Sequence, residues 1–504
     1  MATRPLASAV PQPATGMPLV TAPARKPLVT RDVFSVPVLD RRLIYAPLHD
    51  LVALVDARGA ETLRVGLSAP ASTTFGPSIV GLLDRLRASG AAAPTARDGP
   101  VEDPLFLGLI PTRGCNMACP YCDFAAPKAH GPVMSRALAR RAIDAYFDLI
   151  VAAGGHEAGI QLFGGEPFFA ADVVHFIVGH AWLRAEALGL RVRFEATTNG
   201  FYGERECRWI ADHFDTVVLS LDGPPEVHDR QRPDVRGHGT FATVFRNAEI
   251  LSGGQVDLVV RVCVTQASVE RMPELAAWLA QALTPQAVCF EPMTASSVDS
   301  ARAAAIDPPD AWSFARGFHL ASRILEARGI ETILSTAQLG TLQVSFCPIG
   351  KDALIVSPDG AVDACYQLED DWRAKDLDLR LGWIGSVSDD RAFALDSEAV
   401  RRVRSLNVWN RPLCADCLCR YHCAGACHIH HDTARAPGDF DALCVYTRLV
   451  TVARLLERLD QPTLVDRWFA DVTAQAATVW QRSDRLSDSV SAMVERGEVT
   501  HARA

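Results

Sequence analysis

The chain reads as an α/β protein: a run of parallel strands alternating with helices, preceded by a small α+β extension and followed by a small cysteine-rich region. Three observations carry this. From Leu105 to about Leu325 short apolar stretches alternate with longer amphipathic ones, which is the pattern of a parallel sheet with right-handed crossovers. The polar motifs of that region fall directly after apolar stretches, at strand ends. The 14 cysteines cluster, with three at 115–122 and eight between Cys347 and Cys444.

Residues 1–30 are rich in Pro, Ala and Thr without periodicity and are expected to be disordered. An α+β unit is expected over 31–98, starting near Val33. Arg42–Pro47 and Leu51–Asp56 read as short strands, and Ala57–Val65 and Ile79–Ala88 as helices, the second with Ile79, Leu82, Leu83 and Leu86 on one face. Gly90-Ala-Ala-Ala-Pro-Thr then reads as a linker. Over 99–330 six strands are expected: Leu105–Ile110, Gly159–Phe163, Val192–Thr197, Val217–Leu221, Leu258–Val264 and Ala287–Glu291. Helical patterns intervene, among them Ser135–Ala152, Ala171–Leu188, Phe241–Leu251 and Met272–Leu283. Over 331–448, Ala353–Ser357, a Pro-Asp-Gly turn and Ala361–Asp363 predict a β-hairpin. Over 449–504 an amphipathic helix carries Leu449, Val452, Leu455, Leu456 and Leu459, a second helix covers about 464–480, and the tail beyond Ser487 is expected to be loose.

Net charge is −9 with no long basic run, which argues against a nucleic-acid partner. No apolar stretch is long and uncharged enough for a membrane span, and no compact apolar segment follows Arg4 as a secretory signal would require. Clustered cysteines in a large chain of this kind read as cytoplasmic metal binding rather than disulfide staples.

The chemistry starts at Cys115-x3-Cys119-x2-Cys122, in a loop after the first strand. Thiolates at this spacing converge on one soft centre, zinc or iron–sulfur, and three ligands leave a position open. A zinc knuckle completed from elsewhere, for example by His130, is the alternative. Gly164-Gly165-Glu166-Pro167 follows the second strand, Thr198-Asn199-Gly200 the third, and Ser220-Leu-Asp222-Gly-Pro the fourth, continuing to His228-Asp-Arg-Gln-Arg232. Two glycines allow a close backbone approach, and a Ser or Asp at a strand end suits a ribose hydroxyl. Arg261 and Thr265 flank the end of the fifth strand, and Glu291 closes the sixth.

Cys115-x3-Cys119-x2-Cys122, with Tyr121 before the last cysteine, taken with these strand-end motifs, resembles the radical S-adenosylmethionine (SAM) enzymes. The resemblance implies a partial (β/α)6 barrel with the chemistry at the C-terminal strand ends. It also implies a [4Fe–4S] cluster on Cys115, Cys119 and Cys122 that binds SAM. Tyr121, Gly164, Gly165, Glu166, Pro167, Asn199, Ser220 and Asp222 become cofactor-binding candidates, and Arg261 is placed near the SAM carboxylate or ribose.

Downstream, Cys347-x12-Gly360-x4-Cys365, then Cys414-x2-Cys417-x5-Cys423-x3-Cys427, then Cys444 resembles the SPASM domain without departure in spacing. By that resemblance Cys347, Cys365 and Cys427 hold a first auxiliary [4Fe–4S] cluster, and Cys414, Cys417, Cys423 and Cys444 a second, three clusters in all. Related maturases complete the first with a cysteine absent from Pro348–Ala353 here. The first cluster is then left with an open iron or a ligand from elsewhere. Cys419 is read as a bystander thiol, a zinc ribbon is the alternative for the Cys414–Cys444 block, and His428, His430 and His431 are read as exposed loop residues. Cys207, Cys263 and Cys289 are expected to be buried thiols.

The resemblance implies reductive cleavage of SAM to a 5′-deoxyadenosyl radical and hydrogen abstraction from a peptide or protein, giving an oxidised or cross-linked side chain. An external donor such as flavodoxin or ferredoxin would supply electrons. Residues 31–98 resemble in composition a peptide-recognition element that pairs a leader peptide at a sheet edge, and a plain structural extension is the alternative. The barrel also resembles anaerobic sulfatase-maturating enzymes. There an Asp directly after the cysteine matching Cys365 is the proton acceptor; Tyr366 stands here, which favours cross-linking over sulfatase maturation. Asp363, Glu369 and Asp370 are the nearby carboxylates. Alternatives are a radical SAM dehydrogenase of a small molecule and an iron–sulfur electron carrier, the latter disfavoured by the SAM-binding motifs.

Overall fold

The computed structural model describes residues 32–486 apart from 69–72, 89, 123, 125–129, 295–305, 386–392, 432–437 and 482. The expected disorder of 1–30 and the expected loose tail therefore lie outside the described residues. Among those described, no helix is long and apolar enough to cross a membrane.

The N-terminal unit is a three-stranded antiparallel sheet of β1 (Phe34–Val38), β2 (Arg41–Ala46) and β3 (Leu51–Val55). Its first strand extends the sequence reading, because Pro37 masks an otherwise apolar stretch. One face packs on the helices α1 (Ala57–Ser68) and α2 (Pro77–Arg87) through Ile44, Leu51, Leu63 and Leu83. The other face, with Phe34, Val36, Val38 and Tyr45, joins the main core. That face meets the C-terminal helix Val472–Val479 through β1, and that helix packs on the helices Ala442–Glu457 and Pro462–Phe469. The single helix expected at 464–480 is thus two, broken where the Asp471 side chain caps a new helix by accepting from the Ala474 amide. The β1 edge is covered by the segment before Leu486, with Ser35 N donating to Asp484 O and Leu486 N to Val33 O, both at 2.6 Å.

The second sheet has eleven strands. Seven are parallel and lie in chain order: β4 (Leu107–Leu109), β5 (Glu157–Leu162), β6 (Arg191–Thr198), β7 (Thr216–Ser220), β8 (Asp257–Val264), β9 (Ala287–Pro292) and β10 (Glu331–Ile333). The first six match the expected strands. The seventh, three residues with one Glu, carries no periodic signal of its own. Helices α3 (Arg136–Ala152), α4 (Ala171–Leu188), α5 (Glu204–His213), α6 (Pro225–Gln231), α7 (Phe241–Ser252) and α8 (Met272–Ala282) fill the crossovers. Ser135 starts α3 where the sequence pattern places it, accepting from the Leu138 amide. Strand alternation is strict. In β8, Leu258, Val260, Val262 and Val264 are buried while Arg261 and Cys263 face the opposite side with Ser220 and Glu291.

The sheet does not stop at the barrel. β11 (Leu354–Val356) pairs in parallel with β4 and continues into antiparallel β12 (Ala361–Asp363), β13 (Arg380–Ile384) and β14 (Phe393–Leu395). The expected hairpin at 353–363 is β11–β12. It does more than return the chain, since it closes the β4 edge and fixes Cys365 beside the first strand.

Candidate metal centre

After β4 the chain turns through Thr112 and Gly114 into the first cysteine loop. Thr112 Oγ1 accepts from Gly114 N at 2.9 Å. Residues 116–118 then run antiparallel to 233–235, with Ala118 N donating to Pro233 O at 2.9 Å and Val235 N to Asn116 O at 3.3 Å. Cys115 and Cys119 are buried and Cys122 is half-buried. All 14 cysteines are free of disulfides. Burial pushes the Cys115 thiol up to about 12 and the Cys119 thiol higher.

The strand-end motifs are fitted to this loop. Gly165 lies against its entrance, where a Cβ would stand 2.0 Å from Gly114 O. Gly164, at φ 142°, would meet Thr112 O at 2.7 Å. The close approach these glycines permit is to the loop's own backbone. Glu166, 1% exposed, accepts from Phe168 N at 3.1 Å, Thr198 Oγ1 at 2.8 Å and Asn199 N at 2.7 Å. Burial pushes its carboxyl up to about 7. Three donors leave it room for one more. Pro167 is buried at the start of the short helix that follows. The Asn199 amide donates to Asn116 Oδ1 at 2.9 Å and to Cys115 Sγ at 3.5 Å, holding the first ligand directly.

Asp222 is fully buried and saturated. It accepts from Arg232 Nε and Nη2 at 2.8 and 3.0 Å, Gln231 at 2.8 Å, Cys263 N at 2.9 Å and Tyr121 Oη at 2.8 Å. Burial alone would raise its pKa, but the Arg232 charge and its hydrogen bonds hold the carboxyl below the usual range. Arg232 also lies 5.6 Å from the centre of the Tyr121 ring. Both cofactor candidates, Tyr121 and Asp222, are therefore tied to each other across the loop. Ser220 keeps its hydroxyl free of protein partners among the described residues and is half-buried beside Arg261.

The second array divides in space. Cys365 stands within the electrostatic reach of Cys347 and Cys427, and Cys444 within that of Cys414, Cys417 and Cys423. Those last four border one cavity together with Cys419, which is buried and 3.5 Å from Thr451 Oγ1. Arg448 donates to Cys417 Sγ at 3.2 Å and is clamped by Asp484 at 2.6 and 2.9 Å. Among the described residues His431, Asp441 and Cys444 are the one set of three whose ligand atoms all lie within 4.8 Å. A zinc ion with bonds of about 2.3 Å would draw three thiolates that close, and His130 is exposed. The wider cysteine sets fit a larger centre.

Two expectations need correction. None of the three histidines after Cys427 is an exposed loop residue. His431 is 4% exposed and paired with Asp441 at 2.7 Å, His428 is bonded to Leu406 O at 3.2 Å, and His430 lies 3.4 Å from both Thr294 and Gln367. They fold inward because the cysteine-rich segment wraps around a common interior. Of the three expected buried thiols, Cys207 is buried, whereas Cys263 and Cys289 are half-buried on the sheet face opposite the helices. Tyr366 packs against Phe163 with the rings tilted and their centres 4.8 Å apart, so the position after Cys365 holds an aromatic against the end of β5. Asp363 pairs with Arg380 and Glu369 is exposed beside it.

Sequence reasoning passed over the arginines. Arg113 donates to Tyr366 O at 2.7 Å and Ser357 Oγ at 3.2 Å, linking the two arrays. Arg411, 5% exposed, has no hydrogen-bond partner for Nε, Nη1 or Nη2 among the described residues. A bare guanidinium buried beside thiols is strongly unfavourable, whereas thiolate-bound clusters carry the negative charge it lacks. The residues present fit such groups. The only sequence cue was that Arg411 lies three residues before Cys414.

Residues 109–279 match the radical SAM superfamily. The serine-type anaerobic sulfatase-maturating enzyme of Klebsiella aerogenes is 30% identical over 154 residues, 30% of this chain and 37% of that enzyme. The cysteine-type enzyme of Clostridium perfringens is 26% identical over 165 residues, 32% of this chain and 45% of the relative. The matched part thus spans less than half of these curated relatives. Among solved structures, native anSMEcpe with bound AdoMet superposes with TM-score 0.54 at 17% identity, covering 72% of this chain and 99% of that one. The same enzyme with AdoMet and the Cp18Cys peptide gives 0.53 at 17%, covering 73% and 100%.

Proposed function

We propose, from the premise that this chain carries a radical SAM domain homologous to the anaerobic sulfatase-maturating enzymes, that it is a radical SAM/SPASM enzyme modifying a peptide or protein. The carrying observation is spatial. Ten cysteines fall into three sets, 115/119/122, 347/365/427 and 414/417/423/444, and the strand-end motifs hold the first set in place. When bound, a [4Fe–4S] cluster and SAM supply a 5′-deoxyadenosyl radical; the protein's part is to bind, orient and exclude water.

In this reading Cys115, Cys119 and Cys122 hold the SAM-binding cluster. Glu166 has acceptor capacity left for the SAM ammonium, and the unpartnered Ser220 hydroxyl suits a ribose. Asp222 and Tyr121 act as positioning residues, because their polar atoms are already bonded to one another. The two remaining sets hold auxiliary clusters that take an electron from the substrate radical, and flavodoxin or ferredoxin serves as donor to the chain.

A peptide substrate is supported by the solved relative bound to the Cp18Cys peptide. Tyr366 in place of a carboxylate after Cys365, packed against Phe163, favours oxidation or cross-linking of a ribosomal peptide over sulfatase maturation. Within 31–98 a leader peptide would pair with β3, since β1 is covered by residues 484–486 and β3 has β2 alone as strand neighbour among the described residues.

The test is anaerobic reconstitution with iron and sulfide counted, then 5′-deoxyadenosine measured with SAM and dithionite. About twelve irons per chain and nucleoside are expected. Cys115→Ala should abolish nucleoside formation and leave about eight irons. A Cys115→Ala chain that still forms 5′-deoxyadenosine, or a wild-type chain that binds zinc instead, refutes the reading.

A further inference from the structure

Three buried arginines surround the second cysteine set. Arg448 is neutralised by Asp484, and Arg420 faces Asp32 at 3.5 Å. Arg411 has no carboxylate partner and no hydrogen bond from any of its three guanidinium nitrogens among the described residues. A fold that supplies buried carboxylates for two cations has left the third for something else.

Its place says what. Arg411 precedes the short helix Pro412–Cys414, and its carbonyl accepts from Cys414 N at 3.0 Å. The side chain lies over Gly425, where a Cβ would stand 2.6 Å from Nη1 and 2.8 Å from Nε. Gly425 sits between Cys423 and Cys427, which belong to different sets. Ala424, Gly425 and Ala426 all have positive φ, 48°, 81° and 56°. Two alanines are disfavoured there, because in the left-handed region Cβ crowds the following carbonyl. That strained link keeps the backbone tight under the guanidinium. Arg411 is within electrostatic reach of Cys414 and Cys423 from one set and of Cys347 and Cys427 from the other.

We infer that Arg411 is a cation shared by the two auxiliary cluster sites, donating its N–H groups to sulfur on both sides and setting their reduction potentials together. This rests on the auxiliary-cluster reading above. Positive charge and N–H···S bonds favour the reduced, more negative cluster. Arg411 therefore raises both potentials and makes each a better electron acceptor. It is a positioning and tuning residue that touches no substrate.

The test uses the full chain, reconstituted as wild type, Arg411→Gln and Arg411→Lys, with iron and sulfide counted and midpoint potentials read by EPR-monitored titration. Expected is a shift of both auxiliary clusters to more negative potential in Arg411→Gln at wild-type iron content, with the SAM-binding cluster unmoved. Arg411→Lys, which keeps the charge but loses the planar fork, should fall between. Unmoved potentials, or a shift in one auxiliary cluster alone, overturn the inference while leaving the function intact. Should Arg411→Gln lose auxiliary iron, Arg411→Lys decides: retained iron with both potentials shifted supports the inference, and lost iron overturns it. A wild-type chain with only about four irons refutes the auxiliary-cluster reading itself, and the inference with it.

Discussion

Replacing Asp222 by Asn isolates what holds the first cysteine loop. The substitution keeps the shape and removes the charge, leaving Arg232, 8% exposed, without its carboxylate partner. Stripping one partner from a buried pair is unfavourable by about 3–5 kcal/mol. For 504 residues, with unfolding entropy growing with length, that lowers Tm by about 3–5 °C. The damage should be local as well, because Tyr121 sits between Cys119 and Cys122 and donates to the same carboxylate. Iron should therefore fall by about four per chain while the auxiliary clusters remain. The control is the double variant Asp222→Asn/Arg232→Met. The cost of the single variant is largely the uncompensated buried guanidinium, so the double variant, which removes it, should recover more than half of the lost stability. Differential scanning calorimetry on the apo chain and iron counting on the loaded one read both effects. Additive losses in the double variant would refute the ion pair as the unit. The pH sign is fixed by the lowered pKa of Asp222: its contribution is present above the ordinary carboxylate value and is lost as pH falls through its lower folded value.

Two further outcomes follow from single contacts. Gly165→Ala places a Cβ 2.0 Å from Gly114 O, backbone against backbone, so it should abolish 5′-deoxyadenosine formation and SAM-cluster iron while sparing auxiliary iron; wild-type nucleoside formation would refute the contact. His228 is fully buried and bonded to Asp222 N and Thr240, and burial pushes it down to about 4. It stays neutral in the fold, so its contribution is complete above about pH 6.5 and is lost as pH falls towards 4, by about 3 kcal/mol. His228→Asn should flatten that part of the stability–pH curve, and an unchanged slope in urea titrations would refute it.

The sheet and the ligand cysteines were legible because both leave periodic or spaced signals. β8 alternates over eight residues, and Cys414-x2-Cys417-x5-Cys423-x3-Cys427 is a pattern that chance rarely produces. β10 was not legible, being three residues long and recruited by β9 rather than by its own propensity. Nor were the roles of Tyr121 and Asp222. Each stands where a ligand contact is expected, but whether a polar atom faces a ligand or another side chain is decided by tertiary packing. Arg113 and Arg411 left only their nearness to Cys115 and Cys414, since a buried cation far from its partner in sequence reads as an ordinary surface residue.

The continuity of the second sheet bears on how the sites communicate. β11 joins β4 in parallel, so the first ligand loop and the segment leading to Cys365 leave neighbouring strands. Arg113 spans the gap, two residues before Cys115, donating to the carbonyl of Tyr366, one residue after Cys365. One side chain therefore ties the loop of the first cysteine set to the residue after Cys365. Had the cysteine-rich region been a separate module on a linker, the distance between the two would vary by several ångströms, and electron transfer from a substrate radical would vary with it. Backbone pairing of β4 with β11 and the Arg113 bridge tie the first cysteine loop rigidly to the segment that carries Cys365. Rigidity of this kind is what a chain needs if a radical made at one end is to be quenched at the other before water or solvent thiol reaches it.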